Sequence, residues 1–176
     1  AQSGALLSQT AATALEHSLC GLEFAAGIPG TVGGGIYMNA GAYGGSLSDV
    51  VVSARAICSG EIREFSRDEM QLGYRKSIFA QNGAVVTGVT FELAPGSREE
   101  IAAKMRELAG KRRDKQPLEF ASAGSTFKRP EGHFAGALIE EAGLKGLSVG
   151  AAQVSEKHAG FIINRGGATS ADIIEL

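Results

Sequence analysis

Tryptophan is absent from the chain, and cysteine, histidine and proline are scarce, with two, three and four residues among 176. Cys20 and Cys58 stand far apart and form no metal-ligand spacing. So few thiols point to reduced side chains in a cytosolic protein, not to a disulfide framework. Neither His133 nor His158 lies at metal-ligand spacing, so no metal is assigned. Charge of one sign is not in excess either. Seventeen Lys and Arg meet nineteen Asp and Glu, and the net −2 gives no electrostatic case for nucleic acid. No apolar run approaches the length that crosses a bilayer, and no signal segment opens the chain. The expectation is a monomer with no nucleic-acid or membrane partner.

What is present fits a globular fold, with 44% hydrophobic and 20% charged residues. The length allows one sizeable core or two small ones. Both ends read as cut. The chain starts without Met in a helical pattern from Leu6 to His17, and Ser170 caps a run that reaches Leu176 without a stop signal. A piece of a longer protein is therefore expected.

Glycine is the residue in excess, with 25 in the chain and eight of them in the 24 residues from Gly21 to Gly44. A helical glycine costs about 1 kcal/mol, so this run predicts no stable helix. Glycine also packs nothing on a strand face. Two readings stand. One is tight turns linking core strands. The other is backbone laid against a flat ligand, with N–H groups open to phosphate or carbonyl oxygens. The run is not a Walker loop, because no Gly-Lys-Ser/Thr follows. It is not a dinucleotide fingerprint, because no GxGxxG sits between a strand and a helix.

Beyond this run the pattern turns to strands. Val50 to Cys58 is rich in β-branched residues, Ser59-Gly60 makes a turn, and Glu61 to Phe65 returns with alternation as a hairpin. Ala84 to Leu93 predicts another strand, closed by Pro95-Gly96. Ser97 and Glu100 form a capping box for a helix with an Ile101, Met105, Leu108 stripe. Its basic tail, Lys111 to Lys115, suits a helix C-terminus, with a phosphate-binding role as the other reading. Phe134 to Ala142 predicts a short helix ended by Gly143, and Ser148 to Val154 and Gly160 to Asn164 predict strands. Strands and helices do not alternate regularly, so the class is α+β. A boundary near Lys115 to Pro117 divides the chain into 1–95, a connecting helix over 96–116, and 117–176.

Two constellations hold chemistry. In Tyr74-Arg75-Lys76-Ser77, Arg75 is either a buried ion-pair partner or a fork that grips a carboxylate. In Ala123-Gly124-Ser125-Thr126-Phe127-Lys128-Arg129-Pro130, Ser125 is a turn residue or a proton donor. The second role needs cationic neighbours or a relay, and Lys128 and Arg129 are at hand. His133 reads as a turn residue, and His158 as a core or a site histidine. Lys145, after a helix end, reads as solvated.

These segments together resemble the UDP-N-acetylenolpyruvoylglucosamine reductase family, also called UDP-N-acetylmuramate dehydrogenases. The resemblance runs from Gly21 to Ser170. It includes Gly27-Ile28-Pro29-Gly30-Thr31-Val32-Gly33-Gly34, Met38-Asn39-Ala40-Gly41-Ala42-Tyr43-Gly44, a Tyr-Arg-x-Ser-Ile-Phe motif from Tyr74, and an Ala-Gly-Ser-x-Phe-Lys-x-Pro motif from Ala123. It implies the latter part of an FAD-binding domain of the vanillyl-alcohol-oxidase type, then a small α+β substrate-binding domain. It implies NADPH and FAD as cofactors, and reduction of UDP-N-acetylglucosamine enolpyruvate to UDP-N-acetylmuramate. That reaction belongs to peptidoglycan synthesis, and hence to cell wall biogenesis, cell shape and cell division.

By the same resemblance, Arg75 faces the enolpyruvyl carboxylate and Ser125 is the general acid. Gly27, Ile28, Pro29, Gly30, Thr31, Gly33, Gly34, Asn39, Ala40 and Gly41 contact the flavin. Tyr74, Lys128, Arg129 and Lys145 take the substrate. Many members have asparagine where this chain has Arg129, which resembles the subgroup lacking an extra tyrosine-bearing loop. The family's glycine- and serine-rich pyrophosphate loop has no counterpart here, nor has its C-terminal glutamate, because Glu175 does not match that motif. Other expectations are a different flavin oxidoreductase of this fold, or an inactive fragment that binds nucleotide sugars.

Overall fold

A computed structural model describes all 176 residues. It divides into two compact units, Ala1–Gly110 and Lys111–Leu176. Helices and antiparallel strands are mixed in both, so the fold is α+β.

The first unit opens with α1 (Leu7–Glu16), β1 (Leu19–Cys20) and α2 (Val32–Tyr37). A small hairpin follows, β2 (Gly41–Ala42) and β3 (Gly45–Ser46). Then come β4 (Val51–Cys58), β5 (Glu61–Ser66), α3 (Phe79–Asn82), β6 (Val85–Phe91), β7 (Ala94–Pro95) and α4 (Arg98–Lys115). The central sheet is antiparallel, in the order β5-β4-β6. Ser59 and Gly60 both have positive φ, 52° and 86°, as a two-residue turn twisted to match its strands requires. In β4 the register shifts between Val51 and Ser53, so Val51, Ala54 and Ala56 all face the core. They pack with Val86, Val89 and Phe65 against α1 and α2, where Leu7, Ala11, Val32 and Ile36 are buried. Phe65 and Phe79 meet edge to face, with ring centroids 5.1 Å apart. Met105 and Leu108 of α4 join the same core.

The second unit holds β8 (Ala121–Ser125), α5 (Ala135–Glu141), β9 (Ser148–Val149), β10 (Ala152–Val154), β11 (Phe161–Asn164) and α6 (Ser170–Glu175). Its antiparallel sheet runs β8-β11-β10-β9. Ala152 and Val154 of β10 and Phe161 and Ile163 of β11 alternate as its buried residues.

Four expectations need correction. The glycine-rich run does contain a helix, α2, with the sequence VGGGIY. The propensity loss is offset by close packing. A methyl group on Gly33 would stand 2.7 Å from Ser3 Cβ, and one on Gly35 would stand 2.8 Å from Leu47 Cδ1. Only glycine lets this helix lie so near its neighbours. The segment from Ser148 to Val154 is two strands, β9 and β10, turned at Gly150, where φ is +54°. Thr169, not Ser170, caps α6. Its Oγ1 accepts the Asp172 N–H at 3.2 Å, and Asp172 Oδ2 accepts the Thr169 N–H at 2.9 Å. At α4, Ser97 Oγ accepts the Glu100 N–H but donates to Glu99 Oε2, so the reciprocal half of the expected box is not made by Glu100.

The remaining elements follow the reading from sequence. The first helix, the Val50–Cys58 and Glu61–Phe65 hairpin, the Phe134–Ala142 helix and the last strand stand within a residue or two of their expected bounds. Cys20 and Cys58 are free, half-buried thiols. No helix is long and apolar enough to cross a membrane.

Candidate active site

In the first unit, the glycine-rich run is fixed from several sides. Thr31 is the N-cap of α2, and its Oγ1 accepts the Gly34 N–H at 3.2 Å. Val32 N–H donates to Ala5 O and Gly33 N–H to Ser3 O, both at 2.8 Å. The expected supply of open N–H groups is therefore not met at Val32, Gly33 and Gly34, because the N-terminal segment and the cap use them. What the run does offer is bare surface. Gly27, Pro29, Gly30 and Gly34 are exposed, and Ile28 and Thr31 are half-buried. Thr31, Gly33, Gly34 and Tyr37 line an open groove of about 580 Å³, together with Gly83 and Ala84. No charged side chain lines it. A shallow, uncharged groove with glycine in its wall fits a flat heteroaromatic ring, and lacks the cations that a pyrophosphate wants.

After α2 the chain turns through Asn39, which has φ 42° and is 5% exposed. Its Nδ2 donates to Gly73 O at 3.0 Å and to Ser48 Oγ at 3.3 Å, while its Oδ1 accepts the Ser48 N–H at 2.9 Å. The side chain is thus a clamp between three segments. Its main chain serves the next feature. Arg75 Nη1 donates to Asn39 O at 3.3 Å, and Arg75 Nη2 to Gly41 O at 2.8 Å. Gly41 sits under Gly45, where a methyl group would stand 2.6 Å from Gly45 O, and Ala40 N–H donates to Gly35 O at 2.7 Å. The two carbonyls are therefore rigidly placed.

Arg75 lies in a two-residue turn, where Gly73 and Lys76 exchange N–H···O bonds of 3.0 and 3.2 Å. Its φ is +50°, a conformation that costs a non-glycine residue on the order of 1 kcal/mol. Ser77, fully buried, ties the turn to the end of α2 by donating to Tyr37 O at 2.7 Å. The guanidinium also lies over the exposed ring of Tyr74, 5.2 Å from its centroid. Of the two readings of Arg75, the ion pair is not the one seen. Backbone carbonyls hold the cation without neutralising it.

In the second unit, Ser125 ends β8 and is exposed. It faces Phe161 across a register shift between Phe161 and Ile163. Gly124 before it has φ +87°. Lys128 and Arg129 follow in an exposed loop, and Arg129 stacks on Phe134, 3.8 Å from the ring centroid. Lys145 is paired with Glu140, with Nζ–Oε1 at 2.6 Å. His133 falls in a turn, its N–H donating to Pro130 O at 3.2 Å. Ser48 and Gly73 were not singled out from sequence, and Ser77 stood in the Tyr74–Ser77 motif without a role. Ser48 and Gly73 lie 9 and 34 residues from Asn39, and Ser77 lies 40 from Tyr37, so no local pattern signals these partners.

Comparison with known proteins gives this geometry its class. A family model described as an FAD binding domain matches residues 1–66. A second, described as the C-terminal domain of UDP-N-acetylenolpyruvoylglucosamine reductase, matches residues 116–176. The chain is thus built on the plan of a flavin-binding domain followed by a dedicated C-terminal domain. It is 58% identical over 176 residues to the UDP-N-acetylenolpyruvoylglucosamine reductase of Clostridium kluyveri, covering 99% of this chain and 58% of that protein. It is 55% identical over 177 residues to the one from Agathobacter rectalis, covering 56% of that protein. The crystal structure of the reductase from Thermus caldophilus superposes with a TM-score of 0.91 at 39% identity, over 98% of this chain and 64% of that one. The chain belongs to the UDP-N-acetylenolpyruvoylglucosamine reductase family. It spans somewhat more than half the length of the curated relatives it matches.

Proposed function

We propose that this chain supplies the flavin face and the proton donor for reduction of UDP-N-acetylglucosamine enolpyruvate to UDP-N-acetylmuramate, in the cytoplasm and as a monomer, for peptidoglycan synthesis. The observation that most supports this is the Arg75 guanidinium. It is held by two backbone carbonyls, in a strained turn, with its charge unspent. That is the arrangement expected of a group kept ready for an anion.

Bound FAD, replenished by NADPH, would supply hydride to the methylene carbon of the enolpyruvyl group. Gly27, Ile28, Pro29, Gly30, Thr31, Gly33 and Gly34 would form the surface that holds its ring, with Asn39, Ala40 and Gly41 bracing them. Reduction at that carbon would place negative charge on the neighbouring carbon and its carboxylate. Arg75 holds the carboxylate and stabilises this charge. Ser125 Oγ–H donates its proton to that carbon, and its exposed position lets solvent reprotonate the oxygen. Tyr74, Lys128, Arg129 and Lys145 bind the rest of the substrate. For Lys145 this means leaving Glu140 for a diphosphate. We place the functional division at 1–95, 96–116 and 117–176.

The test is a visible spectrum after adding FAD and removing the excess, on this chain and on the full-length gene product. A retained flavin band, bleached by NADPH and restored by the enolpyruvyl substrate, is expected, with S125A bleaching but failing to recover. A loaded protein that NADPH bleaches and the substrate never restores would overturn the proposal. Saturation by the nucleotide sugar without NADPH oxidation would instead favour a binding module.

A further inference from the structure

We propose that His158 is a positioning residue for Ser125. It acts as an acceptor that holds the peptide against which the serine is registered. The inference rests on the role given to Ser125 above.

The imidazole sits in a cradle that two glycines make. A methyl group on Gly136 of α5 would stand 3.3 Å from His158 Cε1 and 3.2 Å from Gly160 N. One on Gly160 would stand 3.0 Å from Cε1, 3.2 Å from Nδ1 and 3.4 Å from Ser125 Oγ. The ring and the serine hydroxyl therefore flank the same small space beside Gly160. Phe161 closes another side of the ring, edge to face at 4.9 Å between centroids. The backbone beneath is pinned, because the buried Ser155 accepts the N–H of Lys157 at 3.2 Å and of His158 at 3.3 Å.

In this cradle Nδ1 accepts the Gly160 N–H at 3.1 Å, so a neutral ring carries its proton on Nε2. The other side of the same residue, Gly160 O, accepts the Thr126 N–H at 2.9 Å. Thr126 Oγ1 in turn accepts the Ile162 N–H at 3.3 Å. The register shift between Phe161 and Ile163 separates the Ser125–Phe161 pair from the rest of the β8–β11 ladder. The Thr126–Gly160 bond closes that last pair, so Gly160 helps set where Ser125 stands. One residue, Gly160, stands between the imidazole and the segment that presents the serine.

The role asks only for a lone pair two residues before an N–H. Asparagine supplies this from Oδ1, as in an Asx turn. Glutamine places its oxygen near the position of Nε2. In the flavin re-oxidation assay on the loaded full-length product, H158A should lose about tenfold to a hundredfold in kcat, as a small misplacement of a reacting group does, with KM little changed. H158N should recover most of that loss, and H158Q should not. Exchange of the Gly160 amide should be slow in the parent and H158N, and fast in H158A and H158Q. Rescue by glutamine but not asparagine would overturn the proposal, since it would place the function at Nε2. Re-oxidation by H158A as fast as the parent would also overturn it, provided S125A is dead. An active S125A would instead defeat the reading of Ser125 itself, while the exchange pattern would still judge the acceptor role of His158. If H158A does not fold, the H158N against H158Q comparison decides.

Discussion

Gly34 and Gly35 are neighbours in α2 with opposite surroundings, and alanine at each should move stability in opposite directions. Glycine to alanine inside a helix gains up to about 1 kcal/mol of propensity. At Gly34 the added methyl meets only Thr31 Oγ1, at an ordinary 3.4 Å, and the position is exposed. The gain should therefore survive, at about 0.5–1 kcal/mol. At Gly35 the methyl falls 2.8 Å from Leu47 Cδ1 and 3.1 Å from Leu7 Cδ1. These leucines are 0% and 1% exposed, so neither has room to turn aside. Overpacking of this kind costs about 1–3 kcal/mol, which exceeds the propensity gain and leaves a net loss near 1–2 kcal/mol. Urea unfolding followed by circular dichroism measures both. With a slope of about 2 kcal/mol/M, the midpoint should rise by about 0.3–0.5 M for G34A and fall by about 0.5–1 M for G35A. A G35A chain as stable as its parent would refute the packing of α2. The pair also bears on function. Nothing within the chain demands glycine at position 34, so its glycine answers to something outside. G34A should be more stable yet retain FAD at least about tenfold less well, as loss of a close backbone approach implies. A G34A protein with undiminished flavin retention would sink the assignment of this wall of the groove.

Three other changes test the rest. R75G removes the charge but relieves the φ of +50°, so its thermal stability should stay within about 1 kcal/mol of the parent while substrate-driven flavin re-oxidation falls at least about a hundredfold. A collapse in stability would show that Arg75 is chiefly structural. N39A strands Gly73 O and the Ser48 N–H around a buried site, while the Ser48 hydroxyl keeps Ser46, and should cost about 2–3 kcal/mol in a denaturant titration; a loss below about 0.5 kcal/mol would contradict the clamp. T169A should loosen α6 by about 1 kcal/mol, read as faster amide exchange in 170–176. The same helix should respond to acid. The Thr169 N–H and hydroxyl hold the Asp172 carboxyl below its ordinary value. A depressed carboxyl stabilises the fold above its unfolded value and loses that contribution as the pH falls through the folded one. Protection of the α6 amides, relative to unfolded-chain exchange at the same pH, should therefore fall below about pH 4, and D172N should abolish that loss of protection.

Where the sequence was readable, one local rule decided the outcome. The Ser59-Gly60 turn, the Val50–Cys58 strand and the Gly143 stop each follow from a few adjacent residues. Misreading came where a distant partner overruled the local rule. Propensity argues against VGGGIY as a helix, yet Ser3, Leu7 and Leu47 need it thin more than the backbone minds its entropy. One reading of the run expected open N–H groups along it, and at Val32 and Gly33 the carbonyls of Ala5 and Ser3 close them. Position 169 differs from 170 only in which side chain meets Asp172, a distinction that spacing alone blurs by one residue.

The candidate site repeats this at a finer scale. Motif order named Arg75 and Ser125, but not what readies them. For Arg75 that is a left-handed turn anchored 40 residues back at Tyr37 through Ser77. For Ser125 it is the last pair of the ladder, closed by the Thr126–Gly160 bond, with the Gly160 N–H held by the ring of His158. In both, the reactive residue is placed by polar contacts from distant chain. The reactive side chain is thereby left with its charge or its proton unengaged. That division of labour explains why a bare serine or arginine in a loop is ambiguous on sequence grounds. The groups that make each one chemically useful are glycines, buried serines and main-chain carbonyls, which no composition or periodicity distinguishes from ordinary turns.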